Sequence, residues 1–401
     1  MKFAHFGCWN QGKCNMKDPI GMGEQSITLK LLNDTISKSD DTFDFISVAG
    51  DNYYATVKSI AQPSNPDKLD VYKYYNENKL ISGFNCLPKN VMKYVIFGNN
   101  EMDGKYNSIK DNSKIDNCSS INKMLDTFKT MCSEFTFFDD IMYVANLEDD
   151  IKQLVIFIDT TIYELKEDVL LSETCYKYLF TELQKKNKDL RIKDLISYQN
   201  NMIKSLIDYF HTSVENVIII GHHPIISIKE INHKPSSRAS LLLMKMFEEL
   251  TPSLKDTNVY YLCADLHAYQ TSIITLNTGL KINQYIVGTG GTKLDKLVMP
   301  VESGKKVQIT SNDLQNNKNE DKKIPGVNIC IYEIIEQAES FGFIVVENFN
   351  RKIKVKFIDA TEYKNDIISS NKNPPILNED NMYKKYMKYK IKFLALREKL
   401  S

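Results

Sequence analysis

Five short stretches of the chain end in side chains able to hold a metal ion. Cys8 follows an apolar run that starts at Lys2, and Asp51, with Asn52 and Tyr54, follows the run at 43–48. Asn99 and Asn100 follow 94–97, His222 and His223 follow 217–220, and Asp265 and His267 follow 259–262. Thiol, carboxylate, phenol, amide and imidazole are the donor types that proteins use for transition metals and zinc. In open α/β sheets, ligands gather beyond the carboxyl ends of the strands. A single polar residue at such a place is ordinary, whereas five in succession point to a built site.

Taken one at a time, these residues have simpler readings. Cys8 reads as a buried structural thiol, or as a partner for Cys14 in an oxidising compartment. Asn99, Asn100 and the Gly50-Asp51-Asn52 stretch have turn chemistry. His223 reads as a supporting residue and not a ligand. His5, His211 and His233 read as surface or packing residues, and so do Tyr72, Tyr74 and Tyr75.

The elements that must position the donors follow from apolar periodicity. The runs at 43–48, 94–97, 154–158, 217–220 and 259–262 are short, apolar and rich in β-branched residues, as strands buried on both faces require. Between them lie helical segments. At 195–210, Ile196, Ile203, Leu206, Ile207 and Phe210 share a side; at 237–250, Ser237 caps and Leu241, Leu242, Met244 and Phe247 form the apolar face. This alternation predicts an α/β layered fold. From about 328 the pattern becomes consecutive strands (329–334, 342–347, 352–358) joined by short turns, which reads as an antiparallel meander. Residues 311–323 read as a polar exposed loop.

With 401 residues and 42% hydrophobic composition, the chain can bury a large core unaided. Its 51 basic and 51 acidic residues balance, so it lacks the basic surplus of a nucleic-acid binder. The 8 cysteines are scattered without a CxxC pair, which predicts reduced, mostly buried thiols. A strand-like run directly after Met1 and the absence of an apolar stretch of ~20 residues predict a cytoplasmic location.

Gly50-Asp51-Asn52-Tyr53-Tyr54 resembles the GDNFY motif of purple acid phosphatases, a branch of the calcineurin-like metallophosphoesterases. Gly221-His222-His223-Pro224 resembles their GHHP or GHYP motif, and the stretch at 261–267 (YLCADLH) is similar to their YLCGHDH without a gap. The stretch at 285–291 resembles the glycine-rich strand end that follows, and 342–347 with 355–360 resemble the closing strands. The resemblance implies a metallophosphoesterase-type β-sandwich of two mixed sheets flanked by helices, in four αββα layers, over residues 1–362. It implies two metal ions, iron with zinc or manganese. The first would be held by Cys8, Asp51, Tyr54 and His267, and the second by Asp51, Asn99, His222 and Asp265, with Asp51 bridging. A bridging carboxylate keeps two cations close enough to act on one phosphoryl group.

Three positions depart from that pattern. Cys8 stands where the family has Asp, and its softer sulfur favours zinc or ferrous iron. Asn100 stands where the family has a His that touches the phosphate; it donates a hydrogen bond but gives no proton, which forfeits ~10²–10⁴-fold of acid help. Asp265 replaces a ligand His. With Cys8, Asp51, Tyr54 and Asp265 anionic, two divalent ions leave a neutral centre, where the family's centre is cationic; phosphate attraction weakens accordingly. Asn100 and His233, which lies near the family's further substrate-side His, are the expected phosphate contacts. The reading is a metal-dependent phosphomonoesterase of acid-phosphatase type with a weakened site, acting on a phosphorylated small molecule or phosphoprotein. The alternative is an inactive phosphatase-fold scaffold, as in glideosome-associated members of the family.

Residues 363–379, with Pro374-Pro375, read as a linker, and 380–401 as a helix. On that helix Met382, Tyr386, Tyr389, Phe393, Leu396 and Leu400 form one stripe, with Lys384, Lys385, Lys388, Lys392 and Lys399 largely off it. The stripe packs on its own domain, or docks on a protein partner or an acidic membrane surface.

Overall fold

Runs such as Asn-Val-Ile-Ile-Ile and Gln-Leu-Val-Ile-Phe-Ile can be stable only where both faces of a strand are covered, and the chain provides that cover with a second sheet and with helices. A computed structural model describes residues 1–10, 14–17, 23–52, 82–99, 135–137, 141–145, 152–164, 183–210, 213–227, 238–297, 306–309, 330–349 and 352–372. Strands β1 (Lys2–Phe6), β2 (Phe45–Ala49), β3 (Met92–Ile96) and β4 (Phe135–Phe137) run parallel in one sheet. The antiparallel pair β13 (Gly342–Phe349) and β14 (Lys352–Asp359) extends it beyond β1, in the order β14-β13-β1-β2-β3-β4.

The second sheet comprises β5 (Met142–Val144), β6 (Gln153–Ile158), β7 (Asn216–Ile220), β8 (Asn258–Cys263), β9 (Tyr269–Thr275), β10 (Lys281–Val287), β11 (Lys306–Ile309) and β12 (Cys330–Ala338). Its order is β11-β12-β9-β10-β8-β7-β6-β5, parallel from β6 through β7 and β8 to β10 and antiparallel at both flanks. The fold is therefore α/β, two mixed sheets flanked by helices. Helix α1 (Glu24–Lys38) contacts β13, while α2 (Thr161–Glu164), α3 (Leu195–Phe210) and α4 (Arg238–Leu254) pack together, α3 against β5 and β6.

An aromatic cluster joins the sheets. Tyr94 of β3 stacks on Phe157 of β6 at 5.0 Å, Phe157 stacks on Tyr143 at 4.7 Å, and Phe45 meets Tyr94 edge-on at 5.2 Å. Such pairs add roughly 0.5–1.5 kcal/mol each beyond the area they bury. Beside them His5, fully buried, crosses between the sheets. Its Nε2 donates to the Cys263 carbonyl at 3.3 Å, and its Nδ1 pairs with Ser47 Oγ at 3.0 Å. Burial holds the His5 pKa down to about 4. His5 is a packing residue, as expected; His211 and His233 lie outside the described residues.

Two expectations are corrected. The closing strands are not a meander: β12 pairs with β9 and β11 in one sheet, whereas β13 pairs with β1 and β14 in the other. Alternating polarity identifies a strand but carries no information about its partner, so the crossing at 339–341 was invisible. The cysteines are not all thiols either. Cys14 and Cys86 form a disulfide across a sequence separation of 72, while Cys8 and Cys263 are outside any disulfide. Packing of the two segments brings the sulfurs together: Trp9 meets Phe84 edge-on at 4.9 Å and the Cys14 amide donates to Ser82 Oγ at 3.1 Å.

The chain divides into the units Met1–Ala360 and Thr361–Ser401. Helix α5 (Ala360–Lys372) runs through the first part of the stretch expected to be a linker. The expected helix at 380–401 and the polar loop at 311–323 lie outside the described residues. Among the described residues, no helix is long and apolar enough to cross a membrane.

Candidate metal centre

The donors share a position as well as a chemistry. Cys8, Asp51, His222 and Asp265 each stand two residues beyond the end of β1, β2, β7 and β8, and Asn99 stands three beyond β3. Parallel pairing in register puts these ends on one edge of each sheet, and sheet packing brings the two edges together. Each donor follows a Gly or Ala: Gly7, Gly50, Gly98, Gly221 or Ala264. Space demands this. A Cβ on Gly98 would lie 2.4 Å from both the Asp51 amide nitrogen and its Oδ1, and one on Gly50 would lie 2.6 Å from His222 Nδ1. Gly50 also has a φ of 79°, in the left-handed region open to glycine.

Six of the predicted ligands converge into two groups. Ligand atoms of Cys8, Asp51 and His267 lie within 4.8 Å of one another. In the second group, His222 Nε2 lies 3.1 Å from Asn99 Oδ1, 3.4 Å from Asp51 Oδ1 and 3.8 Å from Asp265 Oδ1. Asp51 belongs to both groups through different oxygens: Oδ1 faces His222, and Oδ2 lies 3.7 Å from Cys8 Sγ. This is the disposition a bridging carboxylate needs.

The imidazoles are oriented for ligation. His222 Nδ1 lies 2.7 Å from the Ala49 carbonyl and His267 Nδ1 lies 3.0 Å from the Lys293 carbonyl. A carbonyl only accepts, so both rings carry their proton on Nδ1 and present Nε2 as a lone pair, the outer-partner arrangement of metal-bound histidine. Nε2 of His222 then looks onto the oxygens of Asn99, Asp51 and Asp265. Mutually facing acceptors repel unless a cation lies among them, so the donor set fits a metal ion. Cys8, Asp51 and His222 are almost wholly buried.

Backbone strain marks the same residues. Cys8, Asp51 and Asp265 have φ of 51°, 50° and 57°, and the remaining described non-glycine residue with positive φ is Asn90. A non-glycine residue in that region costs about 1–3 kcal/mol and persists where surrounding structure imposes it. Here the Cys8 amide donates to the Gly50 carbonyl at 3.1 Å, and Trp9 Nε1 donates to Asn52 Oδ1 at 3.1 Å. Asn52 in turn donates to the Ile96 carbonyl at 2.7 Å, tying three strand ends together.

Tyr54, Asn100 and His233 lie outside the described residues, so the phenolate and both expected phosphate contacts have no position here. Sequence reading missed Thr160, whose Oγ1 accepts the backbone N–H groups of His222 at 3.1 Å and His223 at 3.0 Å. It also missed Asp295, which accepts the His267 amide at 2.9 Å. Thr160 had a signal: it stands two residues beyond β6, the same offset as the donors. Asp295 had none. A groove of about 430 Å³ between Thr251, Asn258, Thr278 and Lys281 lies at the opposite, amino-terminal end of β8, and its described lining offers no carboxylate, imidazole or thiol.

No family model matches the chain, and no curated protein matches it in sequence. Among solved structures it is similar to purple acid phosphatase PPD1 from yellow lupin (Lupinus luteus) seeds, with TM-score 0.48 and 12% identity over 90% of this chain and 52% of that one. It is similar to PhoD with TM-score 0.43 and 11% identity, over 90% and 70%. Phosphopantetheinyl hydrolase PptH from Mycobacterium tuberculosis gives TM-score 0.31 and 9% identity, over 75% and 97%. The chain spans about half the length of the lupin enzyme, and the chemical case rests on the donors.

Proposed function

We propose that this chain is a metal-dependent phosphoesterase of the purple acid phosphatase type, with an altered and weakened two-metal centre. The observation that carries the reading is Asp51, whose two carboxylate oxygens face separate donor groups. Cys8, Asp51 and His267 would hold one cation, with Tyr54 as a further ligand; Asp51, Asn99, His222 and Asp265 would hold the other. Zinc or ferrous iron suits the Cys8 group better than ferric iron, because Cys8 contributes sulfur, while zinc or manganese suits the nitrogen–oxygen group. A cation pair there supplies charge stabilisation for phosphoryl transfer and acidifies water. The protein's own residues fix the donors, through the Ala49 and Lys293 carbonyls, and exclude water from the buried carboxylate of Asp51. Asn100 and His233 are the proposed phosphate contacts, for a phosphorylated small molecule or phosphoprotein.

A second reading, an inactive scaffold, is favoured by the replacement of a proton-giving histidine with Asn100 and by the extra negative charge of Asp265. The same experiment separates the two. Metal content of the purified chain is measured first, then p-nitrophenyl phosphate turnover with added zinc, manganese or iron. Two bound equivalents with turnover that His222→Ala abolishes support the enzyme. Two equivalents without turnover leave the scaffold, and no bound metal overturns the enzyme reading and the metal centre. Asn100→His raises turnover if the missing proton donor limits the rate. As to compartment, the Cys14–Cys86 disulfide favours oxidising surroundings over the expected cytoplasm; thiol counting on protein isolated under alkylation decides.

A further inference from the structure

The adjacent histidines, His222 and His223, are held in opposite protonation patterns. A ring nitrogen of each, with a carboxylate oxygen of Asp265, lies within 4.8 Å of the others, so by proximity alone His223 could be a third ligand. The hydroxyl of Thr160 argues otherwise. Its oxygen has two lone pairs, and both are taken by the backbone N–H groups of His222 and His223. It also contacts His223 Nδ1 at 2.9 Å. With its acceptor capacity used, the hydroxyl must donate there, and the His223 proton is left on Nε2. Tyr261 anchors the His223 backbone, its Oη donating to the His223 carbonyl at 2.6 Å. Burial raises the Tyr261 pKa well above its usual value, so it stays a donor. Gly221 makes the clamp possible: a Cβ there would lie 2.5 Å from both Thr160 Cγ2 and Tyr261 Oη.

We propose that His223 is a positioning residue and not a metal ligand: Thr160 fixes it as the Nε2–H tautomer, and in the loaded centre that N–H donates to the Asp265 carboxylate, which lies within 4.8 Å of a His223 ring nitrogen, and holds it as ligand to the cation beside His222. This rests on the metal centre proposed above. Asp265 needs such a partner. Its backbone sits at φ 57° and its side chain is 34% exposed, so packing alone does not fix the carboxylate. A carboxylate with one oxygen held by an N–H turns the other toward the cation, and loss of an outer partner of this kind lowers metal affinity about 10–100-fold.

The test uses the full chain with selectively ¹⁵N-labelled histidine, read by two-bond ¹H–¹⁵N correlation without metal and then during zinc addition, with affinities from chelator competition. His223 is expected as the Nε2–H tautomer, and His222 and His267 as Nδ1–H. Zinc should leave the His223 proton in place. His223→Leu should weaken one zinc equivalent about 10–100-fold and leave the other within about twofold. His223→Gln, which keeps an N–H donor, should recover much of the loss, and Thr160→Ser should match the parent. Thr160→Val should mimic His223→Leu; if it fails to fold, His223→Leu decides. The proposal is overturned by a His223 Nδ1–H tautomer, by loss of the His223 proton on zinc binding, or by His223→Leu sparing both equivalents or weakening both alike. Parent protein that binds no zinc overturns the metal centre, while the metal-free tautomer still reports on Thr160 and His223.

Discussion

The two sides of the centre are built differently. On the His222 side the donors are nitrogen and oxygen, and the histidine is fixed at its ring by Ala49 and at its amide by Thr160. On the Cys8 side a sulfur enters; His267 is fixed likewise, at its ring by Lys293 and at its amide by Asp295, and Trp9, Asn52 and the Cys14–Cys86 disulfide clamp the segment around Cys8. Each side also needs both sheets: Cys8, Asp51 and Asn99 come from one, and His222, Asp265 and His267 from the other. The difference teaches that the two sides share the way their histidine is held and part at the donor atoms, the nitrogen–oxygen side suiting many divalent ions. The side with the sulfur suits softer ions and carries the extra clamp of the disulfide.

The largest expected effect comes from removing what the sides share. Asp51→Asn should weaken both zinc equivalents by more than about 100-fold, since it exceeds the loss of an outer partner. Loss of one equivalent alone would show that Asp51 does not bridge. Next is the clamp on the Cys8 side. Closing a loop across a separation of 72 is worth about 4 kcal/mol by chain entropy, so reduction by a phosphine should lower unfolding free energy in urea by about that amount. An unchanged urea midpoint would remove the disulfide from the account of the Cys8 side.

His5 tests the sheet packing that both sides require. In the unfolded chain it takes up a proton near pH 6.5, and in the folded protein only near pH 4. Between those values the unfolded state binds more protons, so stability falls as pH drops from about 6.5 to about 4, by on the order of 3 kcal/mol. Above that window the contribution is constant. His5→Gln should lack this component of the acid slope; an identical slope in parent and variant would refute the assignment. The smallest effect sharpens the selectivity claim. Cys8→Asp should shift one equivalent from zinc toward manganese by roughly tenfold and leave the other unchanged. Equal preference in parent and variant would place Cys8 outside the donor set.

Much of this was legible in the sequence because it is carried by local pattern. The apolar runs that became β2, β3, β6, β7 and β8 are recognisable since parallel strands covered on both faces admit little else. Helix α3 appeared at the predicted residues because Ile196, Ile203, Leu206, Ile207 and Phe210 repeat at helical spacing, and of these Ile203 and Ile207 are buried and the others packed partly buried against the core. The Gly-then-donor pairs were readable too, although their reason, strand ends too close for a Cβ, was not.

By itself the sequence determined which side chains are available and at which strand ends they stand, because strand, turn and glycine preferences act over a few residues. Only the tertiary structure decided that β12 and β13 part company, that Cys14 meets Cys86, and that the two oxygens of Asp51 face different groups. It alone decided which nitrogen of His222, His223 and His267 bears the proton. Those outcomes depend on contacts between residues apart in the chain, Lys293 with His267 across 26 residues, Thr160 with His222 across 62 and Ala49 with His222 across 173, and no local periodicity encodes such partners.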